Sequence, residues 1–108
     1  MFRTAYSDGE LFVYLAGELD HHSARETLEQ TSQALYGYLP RHCVLDLTGL
    51  HFMDSSGIAL ILNVLKQTRQ MDVELHLVHA GGQPGRVLEA SGVGRLLSVK
   101  KTESEGKK

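Results

Sequence analysis

Asp54-Ser55-Ser56-Gly57 opens an apolar run that continues through Ile58, Ile61, Leu62 and Leu65. The i, i+3, i+4, i+7 spacing is that of a helix face turned toward a core. The polar residues before it therefore read as a helix amino terminus, with the helix starting at Ser55 or Ser56. Such a terminus offers unpaired backbone N–H groups and the positive end of the helix dipole. Two kinds of chemistry suit it. An Asp or Ser oxygen can accept from the free N–H groups as a cap. Alternatively, a serine there can carry a phosphate, about -1.5 to -2 charges, without breaking the helix. The local sequence leaves both uses open for Ser55. Gly57, without a side chain, would let a partner approach the first turn closely. Ile58 beside it is either core or an apolar contact for that partner.

Other reactive residues assemble into less. Asp20-His21-His22 contains metal-ligand types, but adjacent histidines point apart and no third ligand is fixed nearby, so capping and partner contact are expected there. His76 and His79 are three apart on a strand and face opposite sides. Cys43 is the one cysteine. It excludes an internal disulfide and a multi-cysteine zinc site, and its strand-like surroundings make it a buried, inert thiol. Ser55 lacks the Gly-x-Ser-x-Gly elbow of a nucleophile. Gly81, Gly82 and Gly85 lack the Lys-Ser/Thr ending of a phosphate loop. No catalytic constellation, metal or cofactor is expected, and the chain reads as a binding module.

The elements that would position these residues follow from patterning. Phe2 to Ser7 and Leu11 to Leu19 form a hairpin across Asp8-Gly9. The second strand is apolar on both faces, as an interior strand is. Ser23 and Glu26 make a capping box, with a helix from about Ala24 whose apolar side carries Ala24, Leu28, Leu35 and Tyr38. Gly37 and Pro40 end it. His42 to Leu47 is a buried strand, and Thr48 to Asp54 a connecting loop. The Ser55 helix runs to about Met71. Val73 to His79 is a third central strand, Pro84 lies in the first turn of a short helix ending near Gly92, and Leu96 to Val99 is a last short strand. The order is α/β, with right-handed parallel crossovers. Asp20 and Asp54-Ser55 should then share the carboxyl edge of the sheet, where ligands commonly bind.

The chain has 108 residues and a net charge of -2, which fits one domain over residues 1–100 with a flexible polar tail over 101–108. The charge is wrong for nucleic acid or acidic lipid. The amino terminus has no apolar signal region, and no run is long enough to span a bilayer. A cytoplasmic protein is expected.

Gly17-Glu18-Leu19-Asp20-His21-His22, Val44-Leu45-Asp46-Leu47, Phe52-Met53-Asp54-Ser55-Ser56-Gly57 and Ala90-Ser91-Gly92 together resemble the STAS domain of bacterial anti-sigma-factor antagonists, the sporulation type most of all. The resemblance spans roughly Phe2 to Lys100. It implies a mixed sheet with a parallel core, an antiparallel amino-terminal hairpin strand, and helices packed on the sheet. It implies an unphosphorylated form that binds an anti-sigma factor, itself a serine kinase, and so releases a sigma factor. Phosphorylation of Ser55 would end that binding, and a serine phosphatase would restore it. Asp20, Asp54, Ser56, Gly57 and Ile58 would lie at the partner interface. The other reading on the same fold is a non-catalytic scaffold or an accessory subunit of a transporter or stress-signalling complex.

Overall fold

The computed structural model describes residues 2–99; the tail expected over 101–108 lies outside the described residues. Strands β1 (Phe2–Ser7) and β2 (Glu10–Leu19) pair antiparallel. Asp8 and Gly9 turn the chain between them with φ of 52° and 82°, the positive-φ pair that a two-residue hairpin demands. The chain then alternates through α1 (Ala24–Tyr38), β3 (His42–Met53), α2 (Ser55–Gln70), β4 (Glu74–Val78), α3 (Gly82–Ser91) and β5 (Ser98–Val99). The sheet order is β1-β2-β3-β4-β5, with every pair from β2 onward parallel.

Strand order that follows chain order has a physical consequence. Successive right-handed crossovers stepping in one direction place their helices on one face of the sheet. Leu11, Val13 and Leu15 of β2, Cys43, Leu45 and Leu47 of β3, and Leu75 and Leu77 of β4 bury that face against Leu35, Ile61, Val64 and Leu88 of the three helices. The other face has no helix among the described residues. Phe12, Tyr14, Val44, His76 and Val78 lie there, half-buried. Phe12 stacks on Tyr14, and the Arg3 guanidinium sits 4.2 Å over the Tyr14 ring. The two-faced apolar pattern of β2 thus reflects an interior position between β1 and β3, with a second face covered by neighbouring side chains only.

Several boundaries differ from the sequence reading. The expected loop from Thr48 to Asp54 is mostly strand, because β3 continues to Met53. Thr48-Gly49 looks like a turn but accommodates an irregularity in pairing with β2, whose register shifts between Tyr14 and Ala16. A Cβ on Gly49 would lie 3.0 Å from the Ala16 Cβ. Helix α1 runs through Gly37 and stops at Leu39, whose left-handed backbone (φ 50°) lets its N–H reach the Leu35 carbonyl. Tyr38 is not on the apolar side: it is 47% exposed and stacks on Tyr6 at 4.7 Å. Leu96 is exposed, and β5 is only Ser98–Val99. Pro84 is in the first turn of α3, and Gly92 ends that helix with φ 78°.

Candidate functional site

The carboxyl ends of β2 and β3 coincide. Leu19 pairs with Met53, so Asp20 and Asp54 leave neighbouring parallel strands at the same level. The Asp54 N–H donates to the Leu19 carbonyl (3.3 Å), which ties the two exits together. The common edge expected for Asp20 and Asp54-Ser55 is therefore present.

Asp54 caps α2. Its backbone is extended (φ -114°, ψ -166°), and its Oδ1 accepts from the Ser56 N–H at 2.8 Å. Its carbonyl accepts from Gly57 N–H at 2.9 Å. Ser55 is the first helical residue. It is exposed, and among the described residues its hydroxyl makes no hydrogen bond. Of the two uses open to Ser55, the capping one is taken by its neighbour.

Gly57 is buried rather than open to a partner. A Cβ there would lie 2.5 Å from Met53 Cγ and 3.2 Å from the Leu19 carbonyl oxygen. The close approach it permits is internal: the first turn of α2 rests directly on the ends of β2 and β3. Ile58 is half-buried and packs against the core. Ser56 is half-buried and lines a groove of about 550 Å³ between the amino-terminal halves of α1 and α2, together with His22, Arg25, Leu28, Ala59 and Asn63.

The start of α1 is not held by the capping box expected of Ser23 and Glu26. Ser23 already has helical angles (φ -97°, ψ -20°) and makes no side-chain cap. Instead the Asp20 carboxylate accepts from the N–H groups of His22 (3.0 Å) and Ser23 (3.2 Å), and its carbonyl accepts from Ala24 N–H (2.9 Å). The Ser23 hydroxyl accepts from Asp20 N–H (3.1 Å) and donates to the Glu18 carbonyl (2.7 Å). The hydrogen bond from the Ser23 N–H, with smaller help from His22, holds the Asp20 carboxyl below its ordinary range; bonds to the ionised form have that effect.

Two residues of this region escape sequence reasoning. Gln83, at the start of α3, clamps the backbone of Met53: its Oε1 accepts from Met53 N–H (2.8 Å) and its Nε2 donates to the Met53 carbonyl (2.9 Å). It fixes the strand end from which Asp54 departs, across thirty positions of chain, a pairing that no local pattern signals. Phe52, in β3 rather than in a loop, is 40% exposed beside the same end. Cys43 is buried, and burial pushes its thiol up to about 12, as its inert role requires.

The fold and this edge define a known class. The STAS-domain family model matches residues 2–106, and the chain belongs to the STAS family. An anti-sigma F factor antagonist of Paenibacillus polymyxa is 35% identical over 91 residues, covering 84% of this chain and 78% of the relative. An anti-sigma-B factor antagonist of Listeria monocytogenes is 30% identical over 95 residues, covering 86% and 81%. The solved structure of the Bacillus cell fate determinant SpoIIAA in its phosphorylated form superposes with a TM-score of 0.71 at 25% identity, over 97% of this chain and 95% of that one. No helix among the described residues is long and apolar enough to cross a membrane.

Proposed function

We propose that this protein is an anti-sigma-factor antagonist of the cytoplasm whose binding is switched off by phosphorylation of Ser55. Its partners are an anti-sigma factor that is also a serine kinase and a serine phosphatase. The chain itself supplies a hydroxyl and a docking edge and catalyses nothing. The observation that carries this reading is the division of labour at the start of α2. Asp54 supplies the cap, so Ser55 is left exposed with a free hydroxyl, at a position where a phosphate suits the helix dipole. The names of both relatives support the partner class, and a structure of a phosphorylated relative on this fold supports the switch.

The switch works by charge at an edge. Unmodified Ser55 is small and neutral next to Asp54, on the edge that also carries Asp20, with Ser56, Ile58 and Phe52 adding mixed polar and apolar contact area. A phosphate there sets about -1.5 to -2 charges beside existing carboxylates. Juxtaposing like charges at an interface costs several kcal/mol, and each ~1.4 kcal/mol is a tenfold loss of affinity. The test is calorimetric binding to the anti-sigma kinase encoded by the same organism. Ser55→Ala should bind as the parent does, and Ser55→Asp at least about tenfold more weakly. Equal affinity for the parent, Ser55→Ala and Ser55→Asp would contradict charge control at this residue.

A further inference from the structure

The open face of the sheet carries a second constellation, at the end opposite Ser55. His42 begins β3, and Glu74 begins β4. The two are register partners, and His76 lies two residues beyond Glu74 on the same strand. A period of two puts Glu74 and His76 on one face. The pairing adds His42 to that face, which is the one without helices. The result is three side chains with nitrogen and oxygen donors aimed at one point. His42 Nδ1 lies 3.4 Å and His76 Nε2 3.9 Å from the same oxygen, Glu74 Oε1. All three donor atoms lie within 4.8 Å of one another. The two imidazoles stack at 5.7 Å with an interplanar angle of 26°, so neither ring blocks the other's approach.

We propose that His42, Glu74 and His76 form a binding site for a divalent transition-metal ion of the zinc class. Bonds of 2.0–2.2 Å to nitrogen and oxygen place neighbouring donors of a tetrahedral ion about 3.3–3.6 Å apart. The His42–Glu74 separation of 3.4 Å already matches. The His76–Glu74 separation of 3.9 Å closes by a small side-chain rotation, which the exposure of Glu74 permits. Two imidazoles and a carboxylate suit Zn²⁺ and its late first-row neighbours rather than Mg²⁺ or Ca²⁺. Three protein ligands leave a fourth position for water or a donor from another molecule. An ion pair alone explains the cluster less well: exposed pairs contribute little, and nothing in pairing requires two imidazoles to converge on one carboxylate oxygen. His79, just past the carboxyl end of β4, does not join them. Its Nε2 is 4.0 Å from Asp46 Oδ2, and the other Asp46 oxygen is occupied by the Thr48 N–H and hydroxyl.

The site is at the amino ends of the parallel strands, whereas Ser55 follows the carboxyl end of β3, so the two can be tested separately. The experiment is calorimetric titration of the full chain with Zn²⁺, alongside His42→Ala, Glu74→Gln and His76→Ala. A double variant, His21→Ala with His22→Ala, controls for the other histidine pair. The parent should bind one equivalent. Each of the three single variants should bind at least about tenfold more weakly, since even outer-shell losses cost 10–100-fold at metal sites, and the double variant should match the parent. Zn²⁺ should raise the melting temperature of the parent by more than that of His76→Ala at the same Zn²⁺ concentration. Absence of saturable binding would overturn the site. So would undiminished affinity in all three single variants, or loss of binding in the His21/His22 variant alone.

Discussion

Ser23 and Ser55 occupy comparable places and are used in opposite ways. Each lies just past a parallel strand that ends in a buried residue, Leu19 or Met53, followed by an aspartate. At the first exit the chain makes a turn before α1 begins, and that turn consumes everything: Asp20 takes the loose N–H groups, and the Ser23 hydroxyl both accepts from Asp20 and donates to Glu18. At the second exit α2 starts at once. Asp54 caps it through Ser56, and the serine between them is left over. A serine tied at both ends of its hydroxyl is a structural part. A serine exposed in a first helical turn, with its cap supplied by a neighbour, can gain a phosphate without loss to the fold. The same residue types at the same edge thus divide into a serine built into the turn and, on the proposed function, a serine free to be switched, according to how soon the helix begins.

The largest expected effect on stability falls on the contact that makes this early start possible. Gly57→Val places a side chain against Met53 Cγ and the Leu19 carbonyl oxygen, and overpacking of this kind costs ~1–3 kcal/mol. Urea denaturation should show it as a lower midpoint. A midpoint equal to the parent's would mean that α2 can lift off the strand ends freely.

The contrast between the serines is next in size. Asp54→Ala should destabilise by ~1 kcal/mol as a lost cap, and Ser23→Ala by a similar ~1 kcal/mol for its lost hydrogen bonds. Ser55→Ala should stay within ~0.5 kcal/mol of the parent, as surface changes do. A Ser55→Ala cost equal to that of Ser23→Ala would erase the distinction.

The smallest effect is a pH dependence. The Asp20 carboxyl is lowered chiefly by the Ser23 N–H. Its contribution to stability is complete above the unfolded value of about 3.9 and is lost as pH falls through the lower folded value. Asp20→Asn should therefore flatten the acid limb of the stability profile below about pH 4, with its loss of stability present near neutrality, where the parent's carboxylate is ionised, and vanishing in acid. An unchanged acid limb would mean that the turn does not depend on the ionised carboxylate.

Much of this comparison was legible in the sequence, and the remainder was hidden for definite reasons. The Asp8-Gly9 hairpin, the alternation of Leu75 and Leu77 against Glu74 and His76, and the helical spacing from Ile58 to Leu65 are local patterns, and local patterns survive folding. Parallel topology then put Asp20 and Asp54 on one edge. Three features depended on neighbours distant in sequence. Thr48 to Asp54 read as a loop, but Gly49 allows the close passage of Ala16 and β3 runs on to Met53. Gly57 signalled openness toward a partner but is filled from behind by Met53 and Leu19. Ser23 matched a capping box, yet its own helical angles turn its hydroxyl back to Glu18. The Gln83 clamp on Met53 and the meeting of His42 with Glu74 and His76 likewise arise only when separate elements are brought together.

The most direct test of the central claim is to incubate the parent, Ser23→Ala, Ser55→Ala and Ser56→Ala with ATP and the anti-sigma kinase of the same organism, and to map phosphate by mass spectrometry. One phosphate is expected, on Ser55, in every chain except Ser55→Ala, which should remain unmodified. Phosphate on Ser23 or Ser56 of the parent, or stoichiometric phosphorylation of Ser55→Ala, would contradict it.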